Sequence, residues 1–308
     1  MFSGSLVAIV TPMHADGSID WPAWERLLRM HLAAGTSGIV IGGTTGESAT
    51  LLESELLELL SRARAVLQGR VPLIVGVGES STAATVEKAQ RLSAAGVDGL
   101  LVVTPAYNRP TQEGLYRHFE AVAAASEVPV VLYNVPTRTA VDLLPATVGR
   151  LARLPRIVAI KEAVPAQPVE RVRELLAAAE GRLTVLSGDD GSCAQAILSG
   201  ARGVISVTAN VVPAAMAQLC SAALHGEREL AEQIDAGLAD LHQALFVETS
   251  PIPVKWLLGD LGWIESGIRL PLTPLSSNCH ARVRSALERA QAARPVESHH
   301  ALSQASVG

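Results

Sequence analysis

The chain has 308 residues, with 25 basic and 30 acidic side chains, a net charge of −5 and 48% hydrophobic content. Intrinsic disorder is excluded, because it requires low hydrophobicity and high charge. Nucleic-acid binding is disfavoured as well, because no basic excess is present to neutralise phosphates.

Residues 1–12 lack the basic region and small-residue cleavage site of a secretory signal. No apolar run reaches the roughly 18 residues of a membrane span, so no membrane partner is expected. Cys193, Cys220 and Cys279 are widely spaced with no CxxC pair. They read as free or buried thiols, and the expected compartment is the reducing cytosol.

In chain order, short apolar runs recur at Leu6–Thr11, Gly38–Gly42, Leu73–Val77, Gly99–Val103, Val130–Asn134, Ile157–Lys161, Leu183–Ser187 and Gly203–Val207. They do not alternate polar with apolar, which suits strands of a parallel sheet buried on both faces. Breakers precede several of them: Gly35, Pro72, Gly96, Pro129, Pro155 and Gly200. Between the runs, Leu51–Leu67, Thr82–Ala95, Gln112–Ala125 and Val169–Glu180 carry helical periodicity. Thr50 with Glu53 has the spacing of a capping box. Eight such units point to an α/β fold, a (β/α)₈ TIM barrel with a C-terminal helical extension. A doubly wound open sheet is the rival, since sequence does not reveal closure. After Pro213 the pattern is helical over Ala214–Leu224, Glu227–Leu245, Ile252–Leu261 and Asn278–Ala292. The expected organisation is a barrel over 1–224, a helical region over 225–293 and a small, polar, frayed tail over 294–308.

Lysine is scarce: Lys88, Lys161 and Lys255. Lys88 lies mid-helix, where a solvated charge is expected. Lys255 follows Pro253 at a helix start, where a surface or capping role is expected. Lys161 ends an apolar strand, where burying a charge is costly without a reason. In a barrel, that end of the strand faces the active site. Desolvation can keep a lysine there neutral, and a neutral amine attacks a carbonyl to form a Schiff base. The alternative is a structural ion pair with Glu162.

Gly42-Gly43-Thr44-Thr45-Gly46-Glu47-Ser48 follows the second run and lacks the lysine of a phosphate loop. Its hydroxyls and free N–H groups suit a small carboxylate, or simply a capped turn. Gly76–Ser81 is a partial dinucleotide fingerprint and reads as a turn. Tyr133 and Tyr107 fall at strand ends, where a phenol can shuttle a proton or serve as a rim aromatic. Arg138 follows the fifth run and suits a second carboxylate, or is a surface charge. Gly188-Asp189-Asp190 offers either a hard-cation site or a helix cap. The scattered histidines form no HxxxH or HExxH pair and no GxSxG elbow is present, so no metal is expected.

Taken together, LVAIVTPM, GGTTGESATL, VTPAYNRPTQEGLYRHF, LYNVPTRTAVDLLPATVGRL, IKEA, LSGDD, GVISVTAN and FVETSPIPVKW resemble the dihydrodipicolinate synthase family of the pyruvate-dependent class I aldolases, from about Phe2 to about Ala290. The resemblance implies a barrel with C-terminal helices, assembled as a homo-oligomer, a dimer of dimers, acting on pyruvate and aspartate semialdehyde without a cofactor. It assigns Lys161 to the Schiff base, Tyr133 to acid–base transfer, and Thr44 to a link between Tyr133 and a partner subunit's Tyr107. It assigns Thr45 to the pyruvate carboxylate, Arg138 to that of the semialdehyde, and Gly188 and Ile205 to the pyruvate pocket. N-acetylneuraminate lyase and keto-sugar-acid aldolases share the Gly-rich loop, the YN-x-P segment and the lysine. Thr44–Thr45, Arg138 and the setting of Tyr107 favour the synthase, and the complete set argues against a non-catalytic keto-acid-binding barrel.

Three departures stand out. Where lysine-sensitive members of the family carry His, His, Asn, Glu and Tyr, this chain carries Glu53, Leu56, Ser80, Ala84 and Ala106. Weak or absent feedback by lysine is the expectation, although Ser48 and Ala49 match the site. Val164–Gln167 departs from the usual small polar run after KEA. Ser250 stands for the usual Asn before Pro251.

Overall fold

The computed structural model describes residues 2–293, and the expected tail at 294–308 lies outside the described residues. Eight parallel strands form one closed barrel in chain order: β1 (Gly4–Ala8), β2 (Gly38–Ile41), β3 (Leu73–Val77), β4 (Gly99–Val103), β5 (Val130–Asn134), β6 (Ile157–Glu162), β7 (Thr184–Ser187) and β8 (Gly203–Ser206). Closure is made by β1 against β8, with Gly4 opposite Gly203 and Val7 opposite Ser206. This pairing removes the open-sheet alternative.

Helices α1 (Trp21–Ala33), α2 (Glu53–Leu67), α3 (Thr82–Ser93) and α4 (Gln112–Ala125) each follow a strand. Two short helices, α5 (Pro136–Thr139) and α6 (Pro145–Leu151), connect β5 to β6. Helix α7 (Pro168–Ala179) follows β6, α8 (Cys193–Leu198) follows β7, and α9 (Pro213–Leu224) follows β8. Residues 225–293 add α10 (Arg228–Ala244), α11 (Ile252–Asp260) and α12 (Ser277–Ala292). None of the described helices is long and apolar enough to cross a membrane.

Several starts follow from side-chain caps. Asp20, Ser81 and Thr111 accept the N–H groups of Ala23, Ala84 and Gly114, filling donors that a helix start leaves open. The expected Thr50–Glu53 box is not formed. Helix α2 begins later, with Leu52 N–H donating to Glu55 at 2.8 Å, while the Thr50 hydroxyl donates to the Glu47 carbonyl. Thr50 and Glu53 have the spacing of a box, but the loop after β2 runs to residue 52 before it turns helical.

The continuous apolar strands bury both faces. One face fills the barrel interior with Phe2, Leu6, Val40, Ile74, Leu101, Val131, Ala159, Leu186 and Ile205. The other packs against the helices in a larger cluster that also takes in Leu238, Leu241, Val254 and Leu257 of the C-terminal region. Side chains alternate along a strand, so the residues two positions beyond Val131, Ala159 and Leu186 also turn inward. Those residues are Tyr133, Lys161 and Gly188.

Cys193 and Cys220 are buried and Cys279 is partly so, and all three are free. Burial pushes the Cys220 thiol up to about 12, and the Cys193 thiol well above the ordinary range. Both are inert hydrophobes at neutral pH.

Candidate active site

The C-terminal ends of the strands gather the residues singled out above. Lys161 is 5% exposed and sits in register with Tyr133 across the β5–β6 ladder. Its Nζ lies 4.5 Å from the centre of the Tyr133 ring. Tyr133 is likewise buried. An ammonium over a phenol face is favourable, but a ring does not neutralise it as a carboxylate would.

The Lys161–Glu162 ion pair that was the alternative does not form. Strand alternation sends Glu162 outward, where its carboxylate accepts from Arg171 Nε at 3.1 Å, Asn134 Nδ2 at 3.0 Å and the Val164 N–H at 3.0 Å. Arg171 also reaches Asp142 at 2.6 Å and the Leu143 carbonyl at 2.9 Å. Burial raises the Glu162 carboxyl while Arg171 and Asn134 pull it back. This network braces β5, β6 and the loop Val164–Gln167 from behind, and leaves Lys161 with no carboxylate within ion-pair distance among the described residues.

Gly188 closes one side of the lysine. A Cβ there would stand 2.8 Å from Ala163 Cβ and 3.1 Å from Lys161 Cε. The Gly188 N–H donates to the Glu162 carbonyl at 2.7 Å, holding this wall against β6. Ile205 is buried inside the barrel on β8.

The loop after β2 supplies donors. Gly46 and Ser48 N–H groups donate to the Gly43 carbonyl, and Glu47 N–H to that of Thr44. The Thr44 and Thr45 N–H groups donate to no acceptor among the described residues, although Thr45 is buried. Two free amides in a tight turn are donors of the kind that anion sites use. The loop passes unusually close to β3: a Cβ on Gly76 would stand 2.0 Å from the Gly42 carbonyl oxygen. Gly76 therefore belongs to the run Leu73–Val77 and not to the turn read over Gly76–Ser81. It lies within β3 and makes room for the backbone opposite.

Arg138 stands on α5 at the mouth, exposed, with Nη2 donating to the Ser250 carbonyl at 3.2 Å. Tyr107 is not packed into the site. Its side chain is 94% exposed on a backbone with φ of +74°, a conformation uncommon outside glycine. No hydrogen bond joins Thr44, Tyr133 and Tyr107 within the chain.

Lys88 stands at the surface on α3, paired with the exposed Glu79 at 2.9 Å. One expectation on charge is corrected. Lys255 is 3% exposed and paired with the buried Glu47. The apolar neighbours Ile252, Val254 and Leu257 carried the signal that its helix is buried. The pair of carboxylates after β7 also separates. Asp190 accepts the Val207 and Thr208 N–H groups at 2.9 and 3.0 Å, capping the short turn after β8, and Asp189 accepts from Ser192.

A closed barrel with a single buried, unneutralised amine at its C-terminal mouth, flanked by a phenol and free amides, is an arrangement that captures a carbonyl bearing a carboxylate, as a lyase of the Schiff-base type does. Residues 1–290 match the model of the Dihydrodipicolinate synthetase family. The 4-hydroxy-tetrahydrodipicolinate synthase of Methylococcus capsulatus is 50% identical over 290 residues, 94% of this chain and 99% of that one. The chloride-inhibited dihydrodipicolinate synthase from Acinetobacter baumannii, solved complexed with pyruvate, superposes with a TM-score of 0.92 at 45% identity, over 94% of this chain and 99% of the other. A monomeric dihydrodipicolinate synthase variant superposes with a TM-score of 0.91 at 40% identity, over 94% and 97%. The chain belongs to the dihydrodipicolinate synthetase family.

Proposed function

We propose that the chain catalyses the 4-hydroxy-tetrahydrodipicolinate synthase reaction of lysine and diaminopimelate biosynthesis, joining pyruvate to L-aspartate 4-semialdehyde. The observation that carries the site assignment is the Lys161 amine, buried, without a carboxylate partner and 4.5 Å from the Tyr133 ring. The Lys161 amine attacks the pyruvate ketone and water leaves as the imine forms. The imine withdraws electrons, a methyl proton departs, and the resulting enamine attacks the aldehyde carbon. The aldehyde oxygen takes a proton and becomes the 4-hydroxyl. The substrate's own amine then adds to the imine carbon and expels Lys161, which closes the ring.

Tyr133 transfers the protons, being the phenol nearest the amine. Thr45 and the free N–H groups of the loop hold the pyruvate carboxylate, and Gly188 and Ile205 bound the small pocket. Arg138 meets the semialdehyde carboxylate at the mouth, where its guanidinium is accessible. Thr44 carries the relay from Tyr133 to the partner's tyrosine. Tyr107, nearly fully exposed on a strained backbone, is supplied across an interface between two copies, and the enzyme works as a cytoplasmic dimer of dimers. Strain of this kind persists where function requires it.

The test is trapping with borohydride in the presence of pyruvate, followed by peptide mapping, beside a steady-state assay with both substrates. An adduct on Lys161 and product formation are expected, with neither in Lys161→Ala. Cleavage of sialic acid without condensation, or a fully active Lys161→Ala, would overturn the reading.

A further inference from the structure

The buried pair of Glu47 and Lys255 has no part in the steps above. Glu47 sits two residues beyond Thr45, with φ of +59°, and its side chain is wholly buried. One carboxylate oxygen takes Lys255 Nζ from α11, and the other accepts the Arg269 N–H at 3.1 Å. Arg269 continues the attachment: Nη1 donates to the Thr50 carbonyl and to Glu55, both at 2.7 Å, and Nε to the Gly17 carbonyl at 2.9 Å. The Glu47 carboxylate is thus held by residues more than two hundred positions away, while the Thr11 hydroxyl holds the neighbouring Gly46 carbonyl at 2.8 Å. Glu47 N–H holds the Thr44 carbonyl, so the turn from Thr44 to Glu47 moves with its carboxylate.

Burying two charges is expensive, and well-packed apolar replacements are often as stable. Stability alone does not account for such a pair beneath a substrate loop. A directional ion pair fixes where the loop stands, which packing of interchangeable methyl groups does not. With both oxygens occupied and no exposure, Glu47 does not reach substrate; it acts through the loop.

We infer that the Glu47–Lys255 pair is a positioning device that aims the Thr44 and Thr45 N–H groups at the pyruvate carboxylate. The inference rests on the proposed function and adds to it two residues that touch no substrate. The C-terminal helices thereby belong to the substrate site as its brace.

The experiment uses the full chain and two variants. Glu47→Asp keeps the charges but shortens the tether by one methylene. The double variant Glu47→Gln with Lys255→Met removes both charges and leaves neutral groups of similar size. In both, the KM for pyruvate should rise about tenfold or more, since misplacement by about 1 Å costs on the order of a hundredfold. The KM for aspartate semialdehyde should stay within about twofold, and the double variant should melt near the parent. A double variant with parental melting and parental pyruvate KM overturns the inference. So does activity that falls only in proportion to the folded fraction, with both KM values unchanged. Parental enzyme that forms no borohydride adduct with pyruvate overturns the proposed function as well. An adduct in the parent with undisturbed pyruvate binding in the variants overturns the positioning role alone.

Discussion

Gly76→Ala tests the loop geometry with a single methyl group. Gly76 lies in β3 beside the Gly42–Gly43 backbone, and an added Cβ would meet the Gly42 carbonyl oxygen at 2.0 Å, its carbon at 2.7 Å and Gly43 N at 3.0 Å. Non-bonded heavy atoms settle near 3.5–4.0 Å, so the gap must open by more than about 1 Å. Backbone on both sides prevents a rotamer change from absorbing it. Overpacking of this kind costs about 1–3 kcal/mol, which for a chain of this size lowers Tm by roughly 2–5 °C. The loop is the softer side, because β3 is laddered to both β2 and β4. A displacement of about 1 Å at the carboxylate donors predicts a loss of about a hundredfold in kcat/KM for pyruvate. Steady-state kinetics with varied pyruvate, beside calorimetric melting, reads both effects. Parental kcat/KM with parental Tm would refute the reasoning, because the clash would then have been absorbed without moving the loop.

Three further outcomes are expected. Tyr107→Phe removes only an exposed hydroxyl, so it should lower turnover while leaving sedimentation of the assembly unchanged; undiminished turnover would take Tyr107 out of the relay. His31 and His118 are buried, and burial lowers them from 6.5 to about 3 and about 4. The folded chain refuses protons that the unfolded chain accepts, so stability is complete above pH 6.5 and is lost as pH falls from 6.5 towards about 4. Each histidine contributes up to about 1.4 kcal/mol per pH unit, and His31→Gln should flatten the decline of Tm measured between pH 7 and 5. Lysine should inhibit weakly or not at all: Leu56 is buried beneath Gly42, Glu53 is held bidentately by Arg91 at 2.6 and 2.8 Å, and Ala84 offers no carboxylate. Submillimolar inhibition in a steady-state assay would contradict this.

The sequence by itself located all eight strands, because runs buried on both faces must be apolar throughout and must be bounded by breakers. It singled out Lys161 as a candidate on the same ground: a charge at the end of such a run is costly to bury without a reason. Ladder pairing and the inward alternation of Val131–Tyr133 and Ala159–Lys161 then follow from local geometry. Closure was decided only by tertiary structure, since β1 and β8 are joined by hydrogen bonds between residues about two hundred positions apart. The short helices α5, α6 and α8 were missed because four to seven residues carry too little periodicity. The setting of Lys255 was misread, and the partner of Glu162 was not legible, because a charged residue's partner is fixed in space, not in sequence. Arg171 approaches Glu162 from the next helix, and Glu47 reaches Lys255 across 208 positions. Local spacing encodes which face a side chain takes, whereas the partner that makes a buried charge tolerable exists only once the chain has folded back on itself.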